Sequence, residues 1–141
     1  MLRLSKILLT SAQTRFASLP SRLKRLHNAA RINRAPLTHD FAVISLSDRL
    51  TPWETIEKRL LAAASADFSI AIYNPVSHGR PEHLKRACEI LLRVLPETRL
   101  CGIVRNIGRD GESRRILTLG QLKDAQADMF CTIFIANSAA K

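Results

Sequence analysis

"HDFAVISLSDRLTPWETIEKRL", His39 to Leu60, opens on an apolar run, passes through Ser-Leu-Ser-Asp and enters what reads as a helix. Phe41 to Leu46 is mostly apolar and β-branched or aromatic, the pattern of a strand buried in a sheet. Thr51 to Glu54 carries a helix-start signature: Thr51 is placed to cap, Pro52 suits the first helical position, and Glu54 is placed to complete a capping box. Trp53, Ile56, Leu60 and Ala63 or Ala64 then recur at helical spacing as far as about Ala66. Glu57, Lys58 and Arg59 read as a solvated face. A buried strand leading into an amphipathic helix begins an α/β unit, and the polar exit between them, Ser45, Ser47 and Asp48, is where such units gather ligands.

The alternation continues downstream. Phe68 to Tyr73 reads as a second strand that stops at Asn74-Pro75, because proline cannot continue a sheet. After the loop "NPVSHGR", Pro81 opens a second helix through about Val94, with Leu84, Cys88, Leu91 and Leu92 inward. "LCGIVRNI" from Leu100 is a third strand, and Gly108-Arg109-Asp110-Gly111 a turn whose glycines supply positive φ. "SRRILTL" fits a hairpin partner, "LGQLKDA" a short helix and "MFCTIFIA" a last strand. The order β-α-β-α-β-β-α-β predicts an α/β fold with a mixed sheet and helices against it. Ser45, Ser47, Asp48, Asn74, Ser77, Asn106 and Arg109 all fall at strand exits. Whether those exits share an edge depends on strand order, and each residue is equally well accounted for as a local turn or cap.

With 141 residues the chain fits one domain, and 46% hydrophobic with 24% charged residues is ordinary for a folded globule. The formal net charge of +10 is uneven: residues 1 to 39 hold eight Arg or Lys and no acid, leaving the rest at +2. The body lacks the basic face with interleaved aromatics that nucleic-acid binding needs, so no nucleic-acid partner is expected. No apolar run approaches a membrane span. Cys88, Cys101 and Cys131 are odd in number and unpaired in spacing, which points to buried free thiols and no metal site. Residues 1–28 form a basic extension with the composition of a mitochondrial leader, although an arbitrary extension gives the same composition; a cytoplasmic protein is expected. There is no GxGxxG, P-loop, G-x-S-x-G or H-E-x-x-H, and His27, His39, His78 and His83 are scattered and read as surface or loop residues.

Taken together, "APLTHDFAVISLSDRLTPWETIEKRL", "ADFSIAIYNPVSHGRPEHL", "GIVRNIGRDGESRRILTLGQL" and "DMFCTIFIANS" resemble the C-terminal half of the precorrin-3B C17-methyltransferases, members of the tetrapyrrole methylase family. The resemblance covers residues from about 29 to 138, and implies that 29–141 is the C-terminal mixed-sheet domain of a two-domain fold whose N-terminal domain is missing here. It implies S-adenosylmethionine (SAM) as cofactor, a precorrin-type tetrapyrrole as substrate, and methylation at C17 with ring contraction in cobalamin biosynthesis. Such transfer rests on positioning and needs no activated side-chain nucleophile, and no catalytic side chain is assigned. By the same resemblance, Tyr73, Asn74 and Pro75 and the pair Asn106 and Ile107 match cofactor-contacting strand ends. Ser47, Asp48, Arg80, Arg105 and Arg109 are the substrate-side candidates, since arginine suits the carboxylates of a tetrapyrrole and Asp48 suits orienting an arginine. A homodimer or a complementing N-terminal domain are the implied protein partners. The alternative is a non-catalytic remnant that binds a partner chain or a tetrapyrrole.

Overall fold

The computed structural model describes residues 40–77, 79–107 and 109–139; the basic extension over 1–28, the expected domain start at residue 29, and His27, His39, His78 and Gly108 lie outside them. The elements are β1 (Phe41–Ser45), α1 (Trp53–Ser65), β2 (Ser69–Tyr73), α2 (His83–Leu91), β3 (Leu100–Arg105), β4 (Ser113–Thr118), α3 (Leu119–Leu122) and β5 (Cys131–Ile135), in the order expected. The strands form one five-stranded sheet, β1-β2-β5-β3-β4. β1 and β2 are parallel. β5 enters between β2 and β3, antiparallel to both, and β4 closes a hairpin on β3. Two reversals across β5 leave β1, β2 and β3 pointing the same way, so their three exits share one sheet edge.

The strand periodicity divides the sheet into two faces. On one, Ile44, Ile70, Ile72, Ile103, Ile133 and Ile135 pack with Ile56 and Leu60 of α1, Leu84, Ala87, Cys88 and Leu91 of α2, and Leu119 and Leu122 of α3 in a single buried cluster. On the other, Ala71, Val104, Phe134 and Ile107 form a smaller cluster with Val43 against it. Leu60 is wholly buried in the larger cluster. β-branched residues dominate the strands because their stiff side chains fit a pleated surface covered on one side by helices.

Several boundaries differ from expectation for identifiable reasons. Pro52 adopts φ −56 and ψ 144, which is extended, so helix α1 begins one residue later, at Trp53, and no side chain caps it. The expected Thr51–Glu54 capping box is therefore not made; Glu54 instead lies in the first turn, where the helix dipole favours an acid. α2 starts at His83 and not at Pro81, again without a side-chain cap. A true capping box occurs at α3, where Gln121 N donates to Thr118 Oγ1 at 3.3 Å and Thr118 N to Gln121 Oε1 at 3.0 Å. The last strand begins at Cys131 because Asp128 Oδ1 accepts the Phe130 amide at 2.9 Å, drawing residues 128–130 out of the ladder and leaving Met129 and Phe130 exposed. Among the described residues, no helix is long and apolar enough to cross a membrane.

Asp67 sits in the left-handed region at φ 60 between α1 and β2, where its carboxylate accepts from Ser138 N at 2.9 Å and from the Ser138 hydroxyl. Those bonds, with Arg99 nearby, hold the Asp67 carboxyl below its ordinary value of 3.8. A depressed folded value makes this contribution to stability present above pH 3.8 and lost as pH falls through the folded value. Asp67→Asn is expected to flatten the fall in urea midpoint as pH is lowered from about 5 toward 2, and an unchanged acid limb would contradict it. Burial pushes the Cys88 and Cys101 thiols up to about 12 and raises Cys131 as well. Native protein should therefore react with Ellman's reagent far more slowly than urea-unfolded protein. Leu60→Ala should cost about 2–5 kcal/mol in chemical denaturation.

Candidate functional site

The shared edge makes a cleft of about 420 Å³, within the range of ligand sites. The β1 exit contributes Leu46, Ser47 and Arg49 to it; the β2 exit contributes Asn74, Val76 and Ser77. Gly79, Arg80 and His83, leading into α2, close one side, and Met129 reaches in ahead of β5. Leu46, Val76 and Met129 give it apolar surface, and hydroxyls and guanidiniums give it a polar rim.

Two serines at the first exit have different tasks. Ser45 Oγ accepts Ser47 N at 3.2 Å and Asn74 Nδ2 at 3.4 Å, tying the β1 exit to the β2 exit. Asn74 itself stands at φ 51 and Asn106, at the β3 exit, at φ 53. Asparagine tolerates this left-handed conformation better than other residues with a Cβ. At both positions it turns the chain out of the ladder at the sheet edge. Pro75 is fully buried behind Asn74, and Tyr73 is half-buried.

Asp48 lies behind the cleft wall. Its Oδ1 is 2.6 Å from Arg80 Nε, yet that oxygen is buried and accepts no well-directed hydrogen bond, so the contact is ionic in character. Its Oδ2 is 3.6 Å from His83 Nε2. His83 is buried, its Nδ1 lies 2.9 Å from Leu46 O, and its ring centroid is 4.7 Å from that of Trp53. A carbonyl oxygen only accepts, so Nδ1 carries the proton and Nε2 is the atom turned to Asp48. The Arg86 guanidinium covers Trp53 at 4.3 Å, a contact worth roughly 0.5–1 kcal/mol. The result is a continuous array, Arg86 on Trp53 on His83 on Asp48 on Arg80. Partly exposed ion pairs contribute roughly 0–1 kcal/mol, so the Asp48–Arg80 contact matters chiefly for where it holds the guanidinium.

Of the residues singled out in the sequence, the cleft gathers Ser47, Asn74, Ser77 and Arg80, with Asp48 behind them. Ser45, Tyr73 and Pro75 adjoin Asn74, while Arg105, Asn106, Ile107 and Arg109 belong to the β3 exit. Arg105 donates from Nε to Asp128 Oδ2 at 2.8 Å and lies 5.8 Å from the Phe130 ring. That hydrogen bond and the Asp128 charge raise the Arg105 pKa, while bonds from Arg105, the Phe130 amide and Cys131 lower that of Asp128 against the upward effect of burial. Ile107 is buried in the smaller cluster, and Arg109 is exposed in the turn. His83, Arg49 and Met129 were not singled out. For His83 a signal existed: it heads the series His83, Ala87 and Leu91, each buried, at helical spacing.

The family described as Tetrapyrrole (Corrin/Porphyrin) Methylases matches residues 26–123. A probable cobalt-factor III C(17)-methyltransferase of Salmonella typhimurium is 45% identical over 109 residues, covering 77% of this chain and 45% of that protein. A precorrin-3B C(17)-methyltransferase of Sinorhizobium sp is 47% identical over 109 residues, 77% of this chain and 42% of that protein. The crystal structure of the methyltransferase CobJ superposes with a TM-score of 0.72 at 37% identity, over 84% of this chain and 48% of that one. The chain thus spans less than half the length of these relatives.

The left-handed asparagines generate a direct test. Asn106→Gly should leave stability nearly unchanged, whereas Asn106→Val should lower it by about 1–3 kcal/mol in urea denaturation. Equal losses in the two variants would show that the φ of Asn106 carries no strain for a branched residue.

Proposed function

The chain belongs to the tetrapyrrole methylase family, and from that premise we propose that it is the C-terminal domain of a SAM-dependent C17-methyltransferase acting on a precorrin-type tetrapyrrole in cobalamin biosynthesis, with contraction of the ring. The observation that carries this reading is the identity of 45% and 47% to two relatives named for C17 methylation. Precorrin-3B is the substrate this reading takes.

SAM supplies the methyl group as an electrophilic sulfonium. The cleft suits such a ligand: Leu46, Val76 and Met129 offer surface to a flat base, and Ser77 offers a hydroxyl to a ribose. Asn74, flanked by Tyr73 and Pro75, turns backbone toward the cofactor, and Asn106 with Ile107 does so from the next parallel exit. The Ile107 side chain is committed to packing, which leaves its backbone for that role. Ser47 and Arg80 face the substrate, and Asp48 orients Arg80. Arg109 extends the same cationic edge, while Arg105, the other arginine on that side, has its charge offset by Asp128. These residues act by holding two reactants in line and excluding water, which is where methyl transfer gains most of its rate.

Isothermal titration of SAM and S-adenosylhomocysteine into the 141-residue chain tests this. Binding near micromolar, about −8 kcal/mol, with a loss of about tenfold in Asn74→Ala, is the expected result. Absence of heat up to millimolar ligand would overturn cofactor binding by these exits alone and favour a non-catalytic domain that binds a partner chain or a tetrapyrrole.

A further inference from the structure

The smaller apolar cluster, Ala71, Val104, Ile107 and Phe134, lies on the sheet face turned away from the helices, and it is deeply buried. Val104 is 0% exposed, Ala71 1% and Phe134 6%. Every helix among the described residues sends its side chains into the larger cluster, and none contributes to the smaller one. Ile107, the loop residue in it, is buried too, so it also lies beneath something. A phenylalanine in the middle of a bare sheet face, with Ala71 and Gly102 as its cross-strand neighbours, would leave one side of its ring in water. Burial of this depth needs a further layer. These side chains are buried within a single chain, so the layer belongs to this chain and not to a second copy or another protein. Residues 1–39 are the stretch outside the described residues long enough to supply it.

That stretch joins the sheet at Asp40, immediately before β1, whose Val43 packs on the smaller cluster. Within it Leu19, Leu23, Leu26 and Ala30 recur at helical spacing along one stripe, and Lys24, Arg25, Asn28 and Arg31 fall opposite them. Pro20 suits the first turn of a helix. The dimensions fit. β5 lies two strands from β1, a distance of about 10 Å, and the chain from Ala30 to Asp40 reaches about 33 Å when extended. A helix over 19–30 would be about 18 Å long, enough to cross from β1 to β3 at about 14 Å. We propose that residues 19–30 are the second cover of the sheet, laid with Leu19, Leu23, Leu26 and Ala30 over Val43, Phe134 and Val104. The basic extension is then part of the fold, and neither a cleavable leader nor an arbitrary tail. Its charges are the solvent side of a packed element, which accounts for the basicity with no nucleic-acid partner. The inference is independent of the methylase reading.

The test uses the full 141-residue chain, whose segment carries its own trypsin sites at Lys24, Arg25 and Arg31. In native wild-type protein those sites should resist limited proteolysis. Leu23→Asp combined with Leu26→Asp should speed cleavage at Lys24 and Arg25 about tenfold, raise the fluorescence of the dye ANS and lower the urea midpoint. Asn28→Ala, on the opposite side, should change none of these. A second measurement does not depend on the charged variant folding: Leu26→Ala and Phe134→Leu should lower the urea midpoint by less together than the sum of their separate effects, because each removes the same contact. Additive effects would overturn the proposal. So would wild-type cleavage at Lys24 and Arg25 as fast as in urea with no gain in ANS fluorescence, since the face would then be closed without the segment. A wild-type midpoint that rises with protein concentration would overturn it as well, by assigning the cover to a second copy.

Discussion

The insertion of β5 between β2 and β3 is the constraint on which the rest depends. Had β3 paired directly with β2 through an antiparallel ladder, its exit would lie at the far end of the sheet, more than a strand length from Asn74. Because β5 runs antiparallel to both neighbours, β1, β2 and β3 become parallel at a distance, and the polar residues that end each strand arrive at one edge. The segment that starts β5 arrives there too, which is why Met129 can line the cleft. The same ladder buries Ile133 and Ile135 in the helix-covered core and Phe134 on the opposite face, so the strand that sets the topology also joins the two apolar clusters.

Around the cleft, polar groups are spent in two ways. Some are structural ties: Ser45 holds Asn74 and Ser47, Asp128 holds Arg105 and the Phe130 amide, and Asp67 holds Ser138. Others are aimed outward by a supported array. Asp48 carries a buried oxygen against Arg80, and burying a carboxylate is costly unless it is paired. The protein accepts that cost where the cleft, a buried histidine and a tryptophan stack meet, whereas both partners of the Arg105–Asp128 pair are substantially exposed.

Element type and order were legible in the sequence because they follow from local periodicity: FAVIS and SIAIY read as strands, and Ile56, Leu60 and Ala63 repeat with a helical period, but the expected burial of FAVIS fails because β1 lies at the sheet edge with Ile44 alone of its five residues buried. Boundaries were less legible where one residue's backbone decided them, as with the extended Pro52 that moves the start of α1 or the Asp128 side chain that captures the strand entry. The Thr118–Gln121 box was present in the sequence in its standard spacing and stayed hidden within a run read as strand followed by helix.

Family membership was also written in the sequence, since motifs such as "LSDRLTPWETIEKRL" and "YNPVSHGRP" are carried by residue identity and order, which no folding is needed to reveal. What the tertiary structure alone decided was proximity. Asp48, Arg80 and His83 come from separate exits and a helix start, and only the pairing of β1 with β2 and the packing of α2 against α1 bring them within contact. The scattered surface histidine of the sequence becomes a buried one because its neighbours in space, Leu46, Trp53 and Asp48, are distant along the chain. Local propensity fixes what each segment is; which segments meet is set by non-local burial and strand order, whose energies have no local signature.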